Sequence, residues 1–110
     1  MDYLIQYFSH EVQQEILALP NTLAARYVVL TRRMVAVGPH LGEPHTKAIG
    51  QSLFELRLKV AEGIGRVFYC TLIGRRIIML HCFVKKTKKT PSNELALAMI
   101  RMKEVKHENP

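Results

Sequence analysis

The residues most able to do chemistry in this chain are cationic, and they are clustered. Residues 57–89 hold Arg57, Lys59, Arg66, Arg75, Arg76, Lys85, Lys86, Lys88 and Lys89 against one acid, Glu62, a local charge of +8. The other residues carry seven basic and eight acidic groups, so the chain's net charge of +7 originates in this window. A local excess of this kind is the electrostatic footprint of a polyanion binder. Guanidinium groups are always charged, planar and bidentate toward phosphate oxygens. Arranged around a phosphodiester, they stabilise the charge that builds on a five-coordinate phosphate when a neighbouring hydroxyl attacks it, as an oxyanion hole does in acyl transfer. A lysine crowded by other cations releases its proton more readily and can serve as acid or base. Each group also has a plainer role open to it. Arg57 and Lys59 fit a solvated strand face, Arg66 an ion pair with Glu55 across the sheet, and Arg75-Arg76 a turn.

Other reactive residue types are sparse. His40 and His45 lie in a Gly/Pro-rich segment at a spacing that suits no compact metal site, and neither CxxC nor HExxH occurs. No metal and no cofactor is expected. Cys70 and Cys82 fall in apolar, strand-like runs and read as small buried hydrophobes rather than a disulfide. His81, also within an apolar run, reads as a packed core histidine, and Met99 and Met102 as helix residues facing the core or a partner.

The elements that must position the cations follow from periodicity. Residues 3–8 read as a short strand. Ser9 is an N-cap for a helix over 10–19 carrying Val12, Ile16 and Leu19 on one face. Pro20 opens a second helix striped by Leu23, Tyr27, Leu30, Met34 and Val37, which Gly38-Pro39 ends. Residues 38–51 include five Gly or Pro and read as a connecting loop. In Leu53–Val60 the residues Phe54, Leu56, Leu58 and Val60 alternate with Glu55, Arg57 and Lys59, a strand with one polar face. Ile64–Ile73 is apolar on both faces, as a central strand is. A turn at Gly74-Arg75-Arg76 leads into a strand over Ile77–Val84. Thr90-Pro91 starts a last helix striped by Leu95, Met99, Met102 and Val105, with Lys106–Pro110 fraying. The expected fold is α+β in the order β-α-α-β-β-β-α. A helical hairpin packs on one face of an antiparallel-rich sheet, and the other, basic face is partly open.

Length and composition agree with one domain over residues 1–110. The chain is 48% apolar and 23% charged, which argues against disorder. Its longest apolar run, Leu95–Ile100, has six residues where a membrane span needs ~20. Met1-Asp2-Tyr3 lacks the basic start of a secretory leader, so a cytoplasmic protein without membrane association is expected.

Four segments in order carry a family resemblance. They are Gly38–Pro44 (Gly-Pro-x-Leu-Gly-x-Pro), Leu53-Phe54-Glu55-Leu56-Arg57, Gly65-Arg66-Val67-Phe68-Tyr69, and Phe83–Pro91 with Glu94 following. Together they resemble the RelE/HigB-like toxins of type II toxin–antitoxin modules, in the phage-derived host-killing branch of the RelE/ParE superfamily. The resemblance implies a metal-independent mRNA endoribonuclease that works on the ribosome. The RNA's own 2′-hydroxyl attacks the adjacent phosphate, and a cognate antitoxin, often a helix-turn-helix DNA-binding protein, neutralises the toxin. Matched by position, Arg57 and Arg66 would stabilise the transition state, and Lys85 or Lys86 would serve as acid or base. Lys59, Lys88 and Lys89 would hold flanking phosphates. Tyr69 would stack a base if it is not a core residue. Glu55 stands where many members carry lysine. A ParE-type gyrase inhibitor and a non-catalytic basic RNA-binding module are the alternatives.

Overall fold

A computed structural model describes residues 2–61, 63–85 and 90–109. Strand β1 (Leu4–Tyr7) leads into helices α1 (His10–Leu17) and α2 (Asn21–Val37). Strands β2 (Thr46–Gly50), β3 (Leu53–Val60), β4 (Gly63–Leu72) and β5 (Arg76–Lys85) follow, and helix α3 (Ser92–Glu108) comes last. The strands form one sheet in the order β1-β5-β4-β3-β2. β1 runs parallel to β5, and the other neighbours are antiparallel. The α+β class stands as expected.

Local chemistry sets the element ends. Ser9 is extended, and its hydroxyl accepts a hydrogen bond from the Val12 amide at 3.2 Å, capping α1. Gly38 ends α2 with φ +111° while its amide donates to the Met34 carbonyl at 2.8 Å. A side chain there would be strained, and its Cβ would lie 3.5 Å from the Tyr3 ring.

The sheet has two cores, one on each face. Leu56, Leu58, Val67, Tyr69, Ile77, Met79 and Cys82 pack under the α1–α2 hairpin, against Val12, Ile16, Leu23, Tyr27, Leu30 and Met34. Phe68, Cys70, Ile78 and Leu80 pack on the opposite face against Ala98, Met102 and Val105 of α3. β4 therefore buries side chains on both faces, as its apolar run requires. A bulge sits in β5. Phe68 is opposite His81 but Tyr69 is opposite Met79, so Leu80 is the extra residue. The consequence is that Leu80 and His81 both turn toward the α3 side, while Met79 and Cys82 face the hairpin.

Several expectations are corrected. The segment read as a loop contains β2, paired antiparallel to β3. Its hairpin turn was hidden because Gln51 and Ser52 both take positive φ, 54° and 70°, where Asn-Gly would be the usual signal. The sheet thus has five strands rather than four. Val37 is 75% exposed and lies off the α2 stripe. Lys106–Glu108 are helical rather than frayed, and Pro91, not Thr90, holds the cap position of α3. Leu19 is buried but lies beyond α1, which ends at Leu17.

Three outcomes are expected. Leu30→Ala removes a fully buried side chain between α2 and the sheet and should lower the free energy of unfolding by about 2–5 kcal/mol in a urea titration. Cys70 and Cys82 are free and buried, and burial pushes both thiols up to about 11. They should resist alkylation at pH 8 until the protein is unfolded. Because the fold raises these pKa values above 9.0, their contribution to stability is full below about pH 9 and is lost as pH rises through about 11.

Candidate functional site

Strand register sets Arg57 and Arg66 side by side. On the α3 side of the sheet, Glu55, Arg57 and Lys59 of β3 face Phe68, Arg66 and Ile64 of β4. Those in turn face His81, Phe83 and Lys85 of β5. Arg57 and Arg66 are direct cross-strand neighbours in the middle row, and Lys59 and Lys85 flank Ile64 in the next. Helix α3 packs mainly on β4 and β5, which leaves the polar edge of β3 uncovered: Lys59 is exposed.

The electrostatics differ sharply between the two arginines. Glu55 is only 2% exposed and Arg66 only 7%. Arg66 Nη1 contacts Glu55 Oε1 directly. Burial lowers the Arg66 pKa, yet a guanidinium starts so far above neutrality that it stays charged beside the carboxylate. Arg57 Nε lies 3.7 Å from the same Glu55 oxygen, and its Nη1 lies 3.7 Å from Glu43 Oε1. The Arg57 side chain keeps 25% of its surface open. One buried carboxylate thus holds two guanidiniums together, and Arg57 is the one that reaches solvent. The cross-strand ion pair weighed for Arg66 is what the sheet contains.

Tyr69 is corrected as a stacking platform. Its ring is fully buried on the hairpin side, away from the cationic row. Its hydroxyl donates to the Pro39 carbonyl at 2.6 Å, and burial pushes its pKa up to about 12. It is a core tyrosine that ties β4 to the Gly38-Pro39 corner. Lys85 stands opposite Ile64 in the strand register. Lys86, Lys88 and Lys89 lie outside the described residues.

Two features escaped the sequence. His81 is buried, as expected, but its Nε2 lies 2.7 Å from Glu94 Oε2 in the first turn of α3. Its ring stacks at 6.1 Å on Phe83, which stacks at 5.7 Å on Phe68. This pair fastens the start of α3 beside the cationic rows. The β5 bulge that turns His81 toward α3 has no sequence signal. Arg76 is more than a turn residue: Nη1 donates to Asn109 Oδ1 at 3.3 Å, joining the β4–β5 turn to the end of α3. Among the described residues no three His, Cys, Asp or Glu side chains stand together as metal ligands. No helix among them is long and apolar enough to cross a membrane.

The sheet therefore carries the helical hairpin on one face, and α3 with the Arg57–Arg66 row on the other. The family described as "Phage derived protein Gp49-like (DUF891)" matches residues 14–103, and the chain belongs to that family. It is a toxin-like family associated with toxin–antitoxin modules. Comparison with curated proteins gives no match.

The buried pair makes a sharp expectation. Glu55→Ala leaves a guanidinium buried without its partner and should destabilise the protein by about 3–5 kcal/mol. Replacing both residues with apolar ones (Glu55→Leu with Arg66→Met) should recover most of that loss in the same urea titration. Tyr69→Phe strands a buried carbonyl and should lose about 1–3 kcal/mol.

Proposed function

We propose that the protein is the toxin of a type II toxin–antitoxin module and acts as a RelE/HigB-like mRNA endoribonuclease on the ribosome. The observation that carries this reading is the juxtaposition of Arg57 and Arg66 on neighbouring strands, with Lys59 and Lys85 in the next register row, on a face that α3 leaves partly uncovered. The cluster suits a phosphodiester in both charge and directionality.

In the proposed reaction the 2′-oxygen attacks the adjacent phosphorus and the bond to the 5′-oxygen of the next nucleotide breaks. The products are a 2′,3′-cyclic phosphate and a 5′-hydroxyl. A base takes the 2′-hydroxyl proton and an acid delivers one to the departing 5′-oxygen. Arg57, the accessible guanidinium, binds the phosphate and stabilises the charge of the transition state. Arg66, committed to Glu55, is a positioning residue that holds the carboxylate against which Arg57 is set. Lys85 and Lys86 exchange the protons, and Lys59, Lys88 and Lys89 hold flanking phosphates. No step calls for a metal. The partner that silences the protein is a cognate antitoxin, with a helix-turn-helix DNA-binding protein the expected kind.

Arg57→Ala tests the reading cleanly, because Arg57 is half-buried and its acidic neighbours keep other partners or solvent. Arg66→Ala does not, since it strands the buried Glu55 carboxylate. On induced expression, Arg57→Ala should abolish growth arrest and lower mRNA cleavage at codon boundaries by about 100-fold or more, with an unchanged urea midpoint. Full cleavage by the folded variant would refute the assignment. Growth arrest with a DNA-damage response and intact mRNA would point to gyrase inhibition. RNA binding by the wild type without cleavage would leave a non-catalytic binding module.

A further inference from the structure

A groove lies at the β2 edge of the sheet, on the hairpin-facing side, and meets the cationic row at Glu43. Its cavity of about 350 Å³ is lined by His40, Glu43, Lys47, Ala48 and Phe54, among others. The wall is aromatic: the His40 ring meets the Phe54 ring at 4.5 Å between centroids, tilted by 52°. Phe54 is held in turn by Tyr69, whose ring stacks on it at 5.6 Å. His40, Ala48 and the rim residues Glu43 and Lys47 are exposed. The rim therefore offers one acceptor and one donor around an apolar slot.

Three further observations narrow the occupant. Glu43 lines the groove and also pairs with Arg57 at 3.7 Å, so the groove and the phosphate cluster share a wall. The Arg57 amide donates to the His45 carbonyl at 2.8 Å, so the segment that carries Glu43 is fastened directly to the strand that carries Arg57. β2 is an edge strand of the sheet, so a ligand can pass around it. An aromatic slot that shares Glu43 with a guanidinium matches an alternation of flat base and charged phosphate. It does not match an acyl chain or an acidic peptide, which lack that alternation.

We propose that this groove holds one unstacked base of a single-stranded RNA whose neighbouring phosphate is gripped by Arg57, with the backbone turning around the β2 edge. The base stacks on His40 and Phe54, beside Glu43 on the rim. The inference rests on the RNA-directed reading above and adds to it a nucleobase subsite outside the Arg57–Arg66 cluster.

The test uses the whole protein and a fluorescently labelled single-stranded hexanucleotide with 2′-O-methyl groups, which lacks the attacking hydroxyl. Binding is followed by anisotropy at low salt, and the His40 ring protons are followed by NMR. His40→Ala should weaken binding about tenfold by loss of stacking. Ala48→Trp, which fills the slot from an exposed strand position, should weaken it at least as much. The His40 ring protons should shift on titration with the hexanucleotide. Urea midpoints of both variants close to the wild type establish that they are folded. Wild-type affinity in both folded variants, with Arg57→Ala still impaired, overturns the subsite and leaves the RNA reading standing. Failure of the wild type to bind the hexanucleotide overturns the subsite, whereas the RNA-directed reading stands or falls on the Arg57→Ala cleavage assay. Loss of antitoxin binding in the two variants with RNA binding intact makes the groove a protein contact and also overturns the subsite.

Discussion

A carboxylate and a guanidinium buried side by side in a sheet impose a strict condition on everything around them. Neither Glu55 nor Arg66 can lose its partner without leaving a charge in a low-dielectric setting. The strands that carry them, β3 and β4, must therefore keep their register, because a slip of one residue would move every side chain to the other face. That register is also what brings Arg57 opposite Arg66. The same carboxylate oxygen that neutralises Arg66 lies 3.7 Å from Arg57 Nε. So the pair does two jobs: it fixes the pairing of the strands, and it orients Arg57, the more open of the two neighbouring guanidiniums.

The two-sided core determines how much of that surface remains available. The α1–α2 hairpin covers one face, and α3 covers the β4–β5 half of the other. His81 and Glu94 fasten the first turn of α3 to β5, and Arg76 with Asn109 fastens its last. A helix tied at both ends stays where it is, so β3 keeps an uncovered polar edge bearing Arg57 and Lys59. Of the described cationic side chains on this face, Arg57 is partly open and Lys59 is exposed. This suits a polyanionic partner and fits a toxin-like family associated with toxin–antitoxin modules.

Much of this was legible in the residue order. Strict alternation over Leu53–Val60 gave β3 and the face that carries Glu55, Arg57 and Lys59. The doubly apolar run gave a central β4. The apolar stripes and the Ser9 cap gave the helical hairpin. Each of these is a local pattern with a local physical cause. β2 was not legible, because a turn built on positive-φ Gln51 and Ser52 uses residues that carry no turn signal. Nor was the bulge at Leu80, since an extra residue in one strand is defined only by its partner.

The sequence by itself determined which residues are cationic, how many share a strand face, and that the fold is α+β. These follow from composition and period, which are properties of the chain alone. Tertiary structure decided what each charge does. It buried Arg66 against Glu55, left Arg57 open, took Tyr69 into the hairpin core, and set His40 on Phe54. The physical reason is that burial and ion pairing depend on distances between residues far apart in sequence, and only the packed fold sets those distances.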